Sequence, residues 1–104
     1  MKRIGVPVAI ALVATLGPAC AMAQDAVAKG KQQFVAQGCY GCHTIEKFGT
    51  PIGPDLSKVG AKYPEERLVR WLRDPESVRP AHMPKLELTE EQITALAAYL
   101  SSLR

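Results

Sequence analysis

Cys39-Tyr40-Gly41-Cys42-His43 is the stretch of this 104-residue chain that decides its fold. Two cysteines three positions apart lie on one side of a helical turn, so their sulfurs can reach the two vinyl groups of one porphyrin. The histidine that follows is then placed to ligate the iron. This C-x-x-C-H spacing is typical of covalent haem attachment. The alternatives are a redox-active dithiol, half of a zinc site and a chance match.

The dithiol and zinc alternatives each lack a feature that they need. A thioredoxin-like dithiol is expected beside a β-α-β pattern, and a zinc site needs a second pair of ligands at a suitable spacing. The sequence has neither, because Cys20 and His82 are its only other cysteine and histidine and they are far apart. We therefore predict one covalently bound haem c with an iron centre.

The N-terminus has the pattern of a secretory signal. Lys2 and Arg3 precede an apolar stretch, and Ala21-Met22-Ala23 supplies the small-x-small pattern of a cleavage site. We predict a cleaved signal peptide over residues 1–23, a single domain over residues 24–104, and a location in the bacterial periplasm.

Two other interpretations of the N-terminus are weaker. The uncharged residues 4–23 are just long enough to span a bilayer as an uncleaved anchor, but Pro7 and Pro18 argue against a regular spanning helix. Cys20 raises the possibility of a lipid-modified N-terminus, although the large aliphatic residue expected three positions upstream is missing. We expect the mature form not to span the membrane.

The charge of the chain points to no highly charged partner. The formal net charge is +3, but removal of Lys2 and Arg3 with the signal lowers it to about +1. No run of like charges remains that would indicate nucleic-acid binding. A domain this short usually needs a cofactor, a metal or disulfides to complete its core, and the apolar faces of a haem would serve.

The residues after the signal predict helices and loops, without a convincing strand. A first helix is expected from Ala26, capped by Asp25, to Gln37. Residues 44–60 contain several glycines and prolines and predict an ordered loop. A second helix is expected over Glu65–Arg73, followed by an extended segment over residues 74–88. Thr89 and Gln92 form a capping box that opens a last helix to about Leu103.

The chain resembles the class I, single-haem cytochromes c of the small bacterial kind over essentially the whole of residues 24–104. This resemblance is carried, beyond residues 39–43, by matches that occur in the family's order. Gly30 and Phe34 on the first helix and Leu96 and Tyr99 on the last are similar to the family's crossing of terminal helices. The resemblance implies an all-α cytochrome c fold of about four short helices around one haem.

Three further matches concern the surroundings of the haem. Gly53-Pro54-Asp55-Leu56 resembles the family loop whose proline carbonyl accepts a hydrogen bond from the ligating histidine, here His43. Met83-Pro84 resembles the loop that carries the sixth ligand. Trp71 lies where the family often has an indole near a haem propionate.

The sixth ligand is also predicted from the residues themselves. Met83 is the only methionine after the signal and lies beside Pro84 in a segment that cannot be helical. The competing interpretations are that Met83 fills the core and that His82 is the ligand. We predict Cys39, Cys42, His43 and Met83 as the haem-binding residues, with His43 and Met83 on the iron.

His/Met ligation favours one-electron transfer over chemistry on a substrate, because both axial positions are filled. We identify no catalytic residues and expect a carrier that exchanges electrons with redox partner proteins and acts as a monomer or in transient complexes. The alternatives are a haem subunit of a larger oxidoreductase, and a ligand-binding or peroxidatic haem protein with a labile methionine. A basic middle section, Lys58 to Lys85, would favour an acidic partner.

Overall fold

The computed structural model describes Gly5, residues 18–77 and residues 83–104, and within these residues the protein is mostly helical. Helix α1 spans Pro18–Ala36, α2 spans Val59–Lys62, α3 spans Glu65–Arg73 and α4 spans Glu90–Ser102. Short 3-10 turns occur at Cys39–Gly41 and Pro75–Ser77. The four helices confirm the predicted all-α fold class. No helix among the described residues combines the length and the apolar character needed to cross a bilayer.

Helices α3 and α4 have the bounds that their local signals predict. Pro64 precedes α3, whose first turn holds two glutamates, as expected at the positive end of a helix. At α4 the Thr89 hydroxyl accepts from the Gln92 backbone N–H at 3.2 Å, and the Gln92 side chain accepts from the Thr89 N–H at 2.9 Å. The predicted capping box is therefore present in both directions.

Helix α1 begins earlier than the sequence suggests. The prediction that Asp25 caps a helix starting at Ala26 is wrong, because the helix begins at Pro18 and Asp25 lies inside it. There Asp25 pairs with Lys29 at 3.2 Å, one turn further along. Proline suits the first turn of a helix, since its missing N–H has no partner there in any case.

A two-stranded ribbon interrupts the predicted loop. Strands β1, Thr44–Ile45, and β2, Phe48–Gly49, pair antiparallel, with Thr44 opposite Gly49 and Ile45 opposite Phe48. The expectation of no strand is therefore wrong at this place. Two-residue strands are too short for the alternation of polar and apolar residues that identifies a strand in a sequence.

The core forms where α1 crosses α4. A Cβ at Gly30 would overlap the carbonyl oxygen of Ala95 and lie 2.6 Å from the Cβ of Tyr99, so the two backbones approach closely only because this residue is glycine. Phe34 is buried and packs edge-to-face on Tyr99, with ring centroids 5.7 Å apart. The crossing predicted from Gly30 and Phe34 is thus present.

Helix α3 and the start of α2 complete this core. Leu68 of α3 and Val59 of α2 are buried in the same cluster as Leu96 of α4. The backbone N–H of Gly60 donates to the carbonyl of Leu103 at 2.7 Å, which fixes α2 to the end of α4. The helices thus form a scaffold that carries the turn and ribbon of residues 39–57 between α1 and α2.

Candidate functional site

The two cysteines and the histidine lie on a tight turn directly after α1. Gly38 has φ of 75° and redirects the chain, and residues Cys39–Gly41 form a 3-10 turn. The carbonyl of Cys39 accepts from the N–H groups of both Cys42, at 3.2 Å, and His43, at 2.9 Å. These bonds bring the three predicted ligands of the haem onto one turn, as their spacing indicates.

His43 is oriented by a hydrogen bond from its ring. Its Nδ1 lies 2.8 Å from the carbonyl oxygen of Pro54. A carbonyl oxygen only accepts, so Nδ1 carries a proton, and in the neutral imidazole Nε2 then keeps its lone pair. A neutral imidazole in this tautomer, held by a second partner, is the form in which histidine binds a metal.

The Gly53-Pro54 loop closes around the His43 ring. A Cβ at Gly53 would lie 2.8 Å from Cε1 and 3.0 Å from Nδ1 of His43, and 3.2 Å from the carbonyl oxygen of Cys42. The Gly53 N–H also donates to that Cys42 carbonyl, at 2.5 Å. Because Gly53 has no side chain, the loop can bring the carbonyl of Pro54 within hydrogen-bond distance of the imidazole.

Asp55 fastens this loop to the ribbon. Its Oδ1 accepts from the hydroxyls of Thr44, at 2.8 Å, and Ser57, at 2.9 Å, and these bonds lower the pKa of the Asp55 carboxyl. The Ser57 hydroxyl in turn accepts from the N–H of Glu46 at 2.6 Å. The sequence did not predict this network, because short polar side chains are common in loops and their spacing carries no specific signal.

Cys39 does not have the environment of an activated thiol. Cys39 and Cys42 form no disulfide bond, and Cys42 is exposed. Burial raises the pKa of the Cys39 thiol, and the neighbouring Cys42 adds to the rise. The attacking thiol of a catalytic C-x-x-C pair depends on a lowered pKa, and the environment of Cys39 has the opposite effect. No three His, Cys, Asp or Glu side chains come together as a metal site within the described residues.

Met83 is half-buried, and residues 83–89, which lead into α4, are irregular. This placement, outside any helix or strand, agrees with its presentation from a loop. Its competitor His82 lies outside the described residues. The ligation of the iron by Met83 stays a prediction from the sequence.

Trp71 of α3 packs against Tyr63, the residue that follows α2. Its ring meets that of Tyr63 edge-to-face, with centroids 5.2 Å apart. The guanidinium of Arg67 lies over the same Tyr63 ring, 5.8 Å from its centroid. Neither contact tests whether Trp71 lies near a haem propionate, so that role stays a prediction.

A surface groove of about 640 Å³ lies between α1, the ribbon and α4. Its lining includes Lys31, Tyr40, Glu46, Phe48 and Tyr99, and none of the four predicted haem-binding residues. The groove therefore shares the turn and ribbon with residues 39–54, but its lining does not include the predicted haem-binding side chains.

The sequence model of the Cytochrome c family matches residues 27–104, so the chain belongs to the cytochrome c family. It is 38% identical over 86 residues to cytochrome c oxidase subunit 2 of Alkalihalophilus pseudofirmus, covering 73% of this chain and 25% of that protein. It is 29% identical over 77 residues to cytochrome c-551 of Bacillus subtilis, covering 74% of this chain and 64% of the relative.

A third relative is a nitric oxide reductase subunit of Stutzerimonas stutzeri, 26% identical over 83 residues, with 73% of this chain and 57% of the relative covered. The chain spans about a quarter of the length of the oxidase subunit that it matches. No solved structure gives a significant match.

Membership of this family means that the protein takes part in electron transport and carries haem c, an iron porphyrin that is bound covalently. The residues of the turn fit this group. Two free thiols lie beside a histidine whose Nδ1 is already bonded, and the Gly53 loop leaves no room for a side chain against the imidazole. The haem supplies a reversible one-electron couple, and the chain supplies its attachment and the environment of the iron.

Proposed function

We propose that the protein is a periplasmic one-electron carrier in which Cys39 and Cys42 hold the haem and His43 and Met83 ligate its iron. The observation that carries the proposal is the 2.8 Å hydrogen bond from His43 Nδ1 to the Pro54 carbonyl, which leaves the lone pair of Nε2 for the iron. Such a second partner raises the basicity of the ligand and fixes its orientation.

A filled sixth position distinguishes a carrier from a haem protein that binds ligands or reacts with peroxide. Methionine on the iron raises the reduction potential and leaves no open position for a small molecule. Among the described residues we identify no acid or base placed to act on a substrate, so we propose no enzymatic activity for this chain on its own.

The test is the visible spectrum of the haem-loaded protein, reduced with dithionite and then exposed to carbon monoxide. A carrier with Met83 in place should give the same spectrum before and after the gas is added. A clear spectral change would mean an open or labile sixth position and would favour the ligand-binding or peroxidatic alternative.

A second candidate is a haem subunit of a larger oxidoreductase. It is favoured by relatives that are named as subunits of cytochrome c oxidase and of nitric oxide reductase, and of which this chain spans only a part. A subunit should co-purify with partner proteins at a fixed stoichiometry, whereas a carrier should be recovered as a monomer that forms only transient complexes.

The periplasmic location depends on export and processing of the N-terminus. We propose that residues 1–23 are removed and that the mature chain begins at Gln24. Cleavage would shorten α1, which runs from Pro18, and would leave the crossing at Gly30 intact. The intact mass of the protein from the periplasmic fraction tests this, since a mass that includes residues before Gln24 would contradict it.

A further inference from the structure

An ion pair joins the two helices that flank the segment with Met83. Arg73 in the last turn of α3 donates from Nε to Oε1 of Glu90 at 3.1 Å and from Nη2 to Oε2 at 2.7 Å. Glu90 is the first residue of α4. The two residues thus lie on either side of segment 74–89, and their side chains are joined by two parallel hydrogen bonds.

Both charges are placed where helix ends favour them. A cation near the C-terminus of α3 and an anion at the N-terminus of α4 each complement the dipole of their own helix. Arg73 also lowers the pKa of the Glu90 carboxyl, chiefly by hydrogen bonding. Both partners are therefore charged in the neutral pH range.

The segment is held at its ends by other contacts as well. Pro75 is fully buried, and Leu88 is packed against the core next to the α4 cap. Between these two anchors, Pro84, Lys85 and Glu87 are exposed and Met83 is half-buried. None of residues 83–87 is fully buried, so contacts at the ends of the segment contribute more to its local stability.

We propose that Arg73 and Glu90 are positioning residues whose ion pair restrains residues 83–89, which lead into α4, and thereby slows the departure of Met83 from its binding position. The proposal rests on the proposed function, because it requires Met83 to be the sixth ligand. The alternative is an ordinary surface ion pair, which in an exposed setting contributes little to stability.

The experiment compares Arg73→Gln, Glu90→Gln and the double variant in the haem-loaded protein, with Lys29→Gln as the matched control. Lys29 is equally exposed and forms the 3.2 Å pair with Asp25 inside α1, away from the segment. Two quantities are measured: amide hydrogen exchange at residues 85–88, and the rate at which cyanide binds the oxidised protein.

Each single variant should raise both rates by roughly two- to fivefold, the change expected from losing a well-formed exposed pair. The double variant should add little to either single change, because removing one partner already removes the interaction. Lys29→Gln should leave both rates unchanged. The urea concentration at the midpoint of unfolding should shift by no more in the ion-pair variants than in Lys29→Gln. This comparison separates a local restraint from a general loss of stability.

Unchanged exchange, unchanged cyanide binding or fully additive effects in the double variant would overturn the proposal. Met83→Ala is measured alongside to separate this failure from failure of the proposed ligand. If Met83→Ala binds cyanide no faster than the unaltered protein, then Met83 is not the ligand and both proposals fall. If it binds faster and the ion-pair variants do not, only the positioning role is lost.

Discussion

The Nδ1 of His43 and the carbonyl oxygen of Pro54 lie 2.8 Å apart, although eleven positions separate the two residues in the sequence. Gly53 makes this approach possible, since its Cα faces the imidazole edge with no side chain between them. The orientation of the predicted iron ligand is thus determined by a residue outside the predicted haem-binding set. This relationship leads directly to a test by substitution.

Gly53→Ala should destabilise the protein by about 1–3 kcal/mol, the usual cost of forcing an extra methyl group into a close-packed place. The added Cβ would lie 2.8 Å from His43 Cε1, so either the ring or the loop must move. The measurement is unfolding by urea of the haem-loaded variant, followed by circular dichroism.

Gly41→Ala is the matched control for that substitution. Gly41 lies in the turn that precedes His43, but a Cβ there would meet no other atom of the chain within 4 Å. The free energy of unfolding of Gly41→Ala should stay within about 0.5 kcal/mol of that of the unaltered protein, as for most surface substitutions. Equal losses in Gly41→Ala and Gly53→Ala would contradict the argument from space around His43.

Met83→Ala should lower the reduction potential and allow carbon monoxide to bind the reduced protein, because the soft sixth ligand is lost. Potentiometric titration and the visible spectrum measure the two effects. Met83→Leu separates ligation from packing, since leucine keeps nearly the same apolar volume and lacks the sulfur. If Met83→Leu keeps the potential and spectrum of the unaltered protein, Met83 is only a filler of the core.

Electron exchange with an acidic redox partner should slow as the salt concentration rises. The described cations between Lys58 and Lys85 are exposed, although Arg73 is partly neutralised by Glu90. Exposed charges of this kind steer encounter and are screened over about 8–10 Å at physiological salt. Stopped-flow rates measured from low to high salt test this, and rates that do not change with salt would argue against a charged docking surface.

The sequence predicted those parts of the fold that depend on local signals. The capping box of Thr89 and Gln92 and the proline before α3 act through neighbouring residues, so both helices were found with nearly their true bounds. Asp25 carried an equally good signal for a helix start, but the helix continues through it from Pro18. A capping residue is indistinguishable in sequence from the same residue about two turns inside a helix, where it can pair with a lysine.

The predictions for the haem site also succeeded where they depended on local spacing and failed where contacts join distant residues. The spacing of Cys39, Cys42 and His43 brings them together on one turn without any information from elsewhere. The contact from His43 to Pro54 was expected only through the resemblance to cytochromes c. The Asp55 network and the Arg73–Glu90 pair were missed, because their contacts join residues that are far apart in sequence and of types found on any surface.

The stability of the protein should fall between about pH 10 and pH 12 as a result of Tyr99. Burial, with smaller contributions from Tyr40 and Glu46, raises the pKa of the Tyr99 phenol to about 12, above its ordinary value of 10. Below pH 10 the phenol is neutral in the folded and unfolded chains alike. Above pH 10 the unfolded chain loses the proton first and is favoured.

Tyr99→Phe should therefore lose less stability over this range, as measured by urea unfolding at pH 8 to pH 11.5. The difference at pH 8 reports the missing hydroxyl alone, so a difference that stays constant up to pH 11.5 would show that Tyr99 does not cause the alkaline loss.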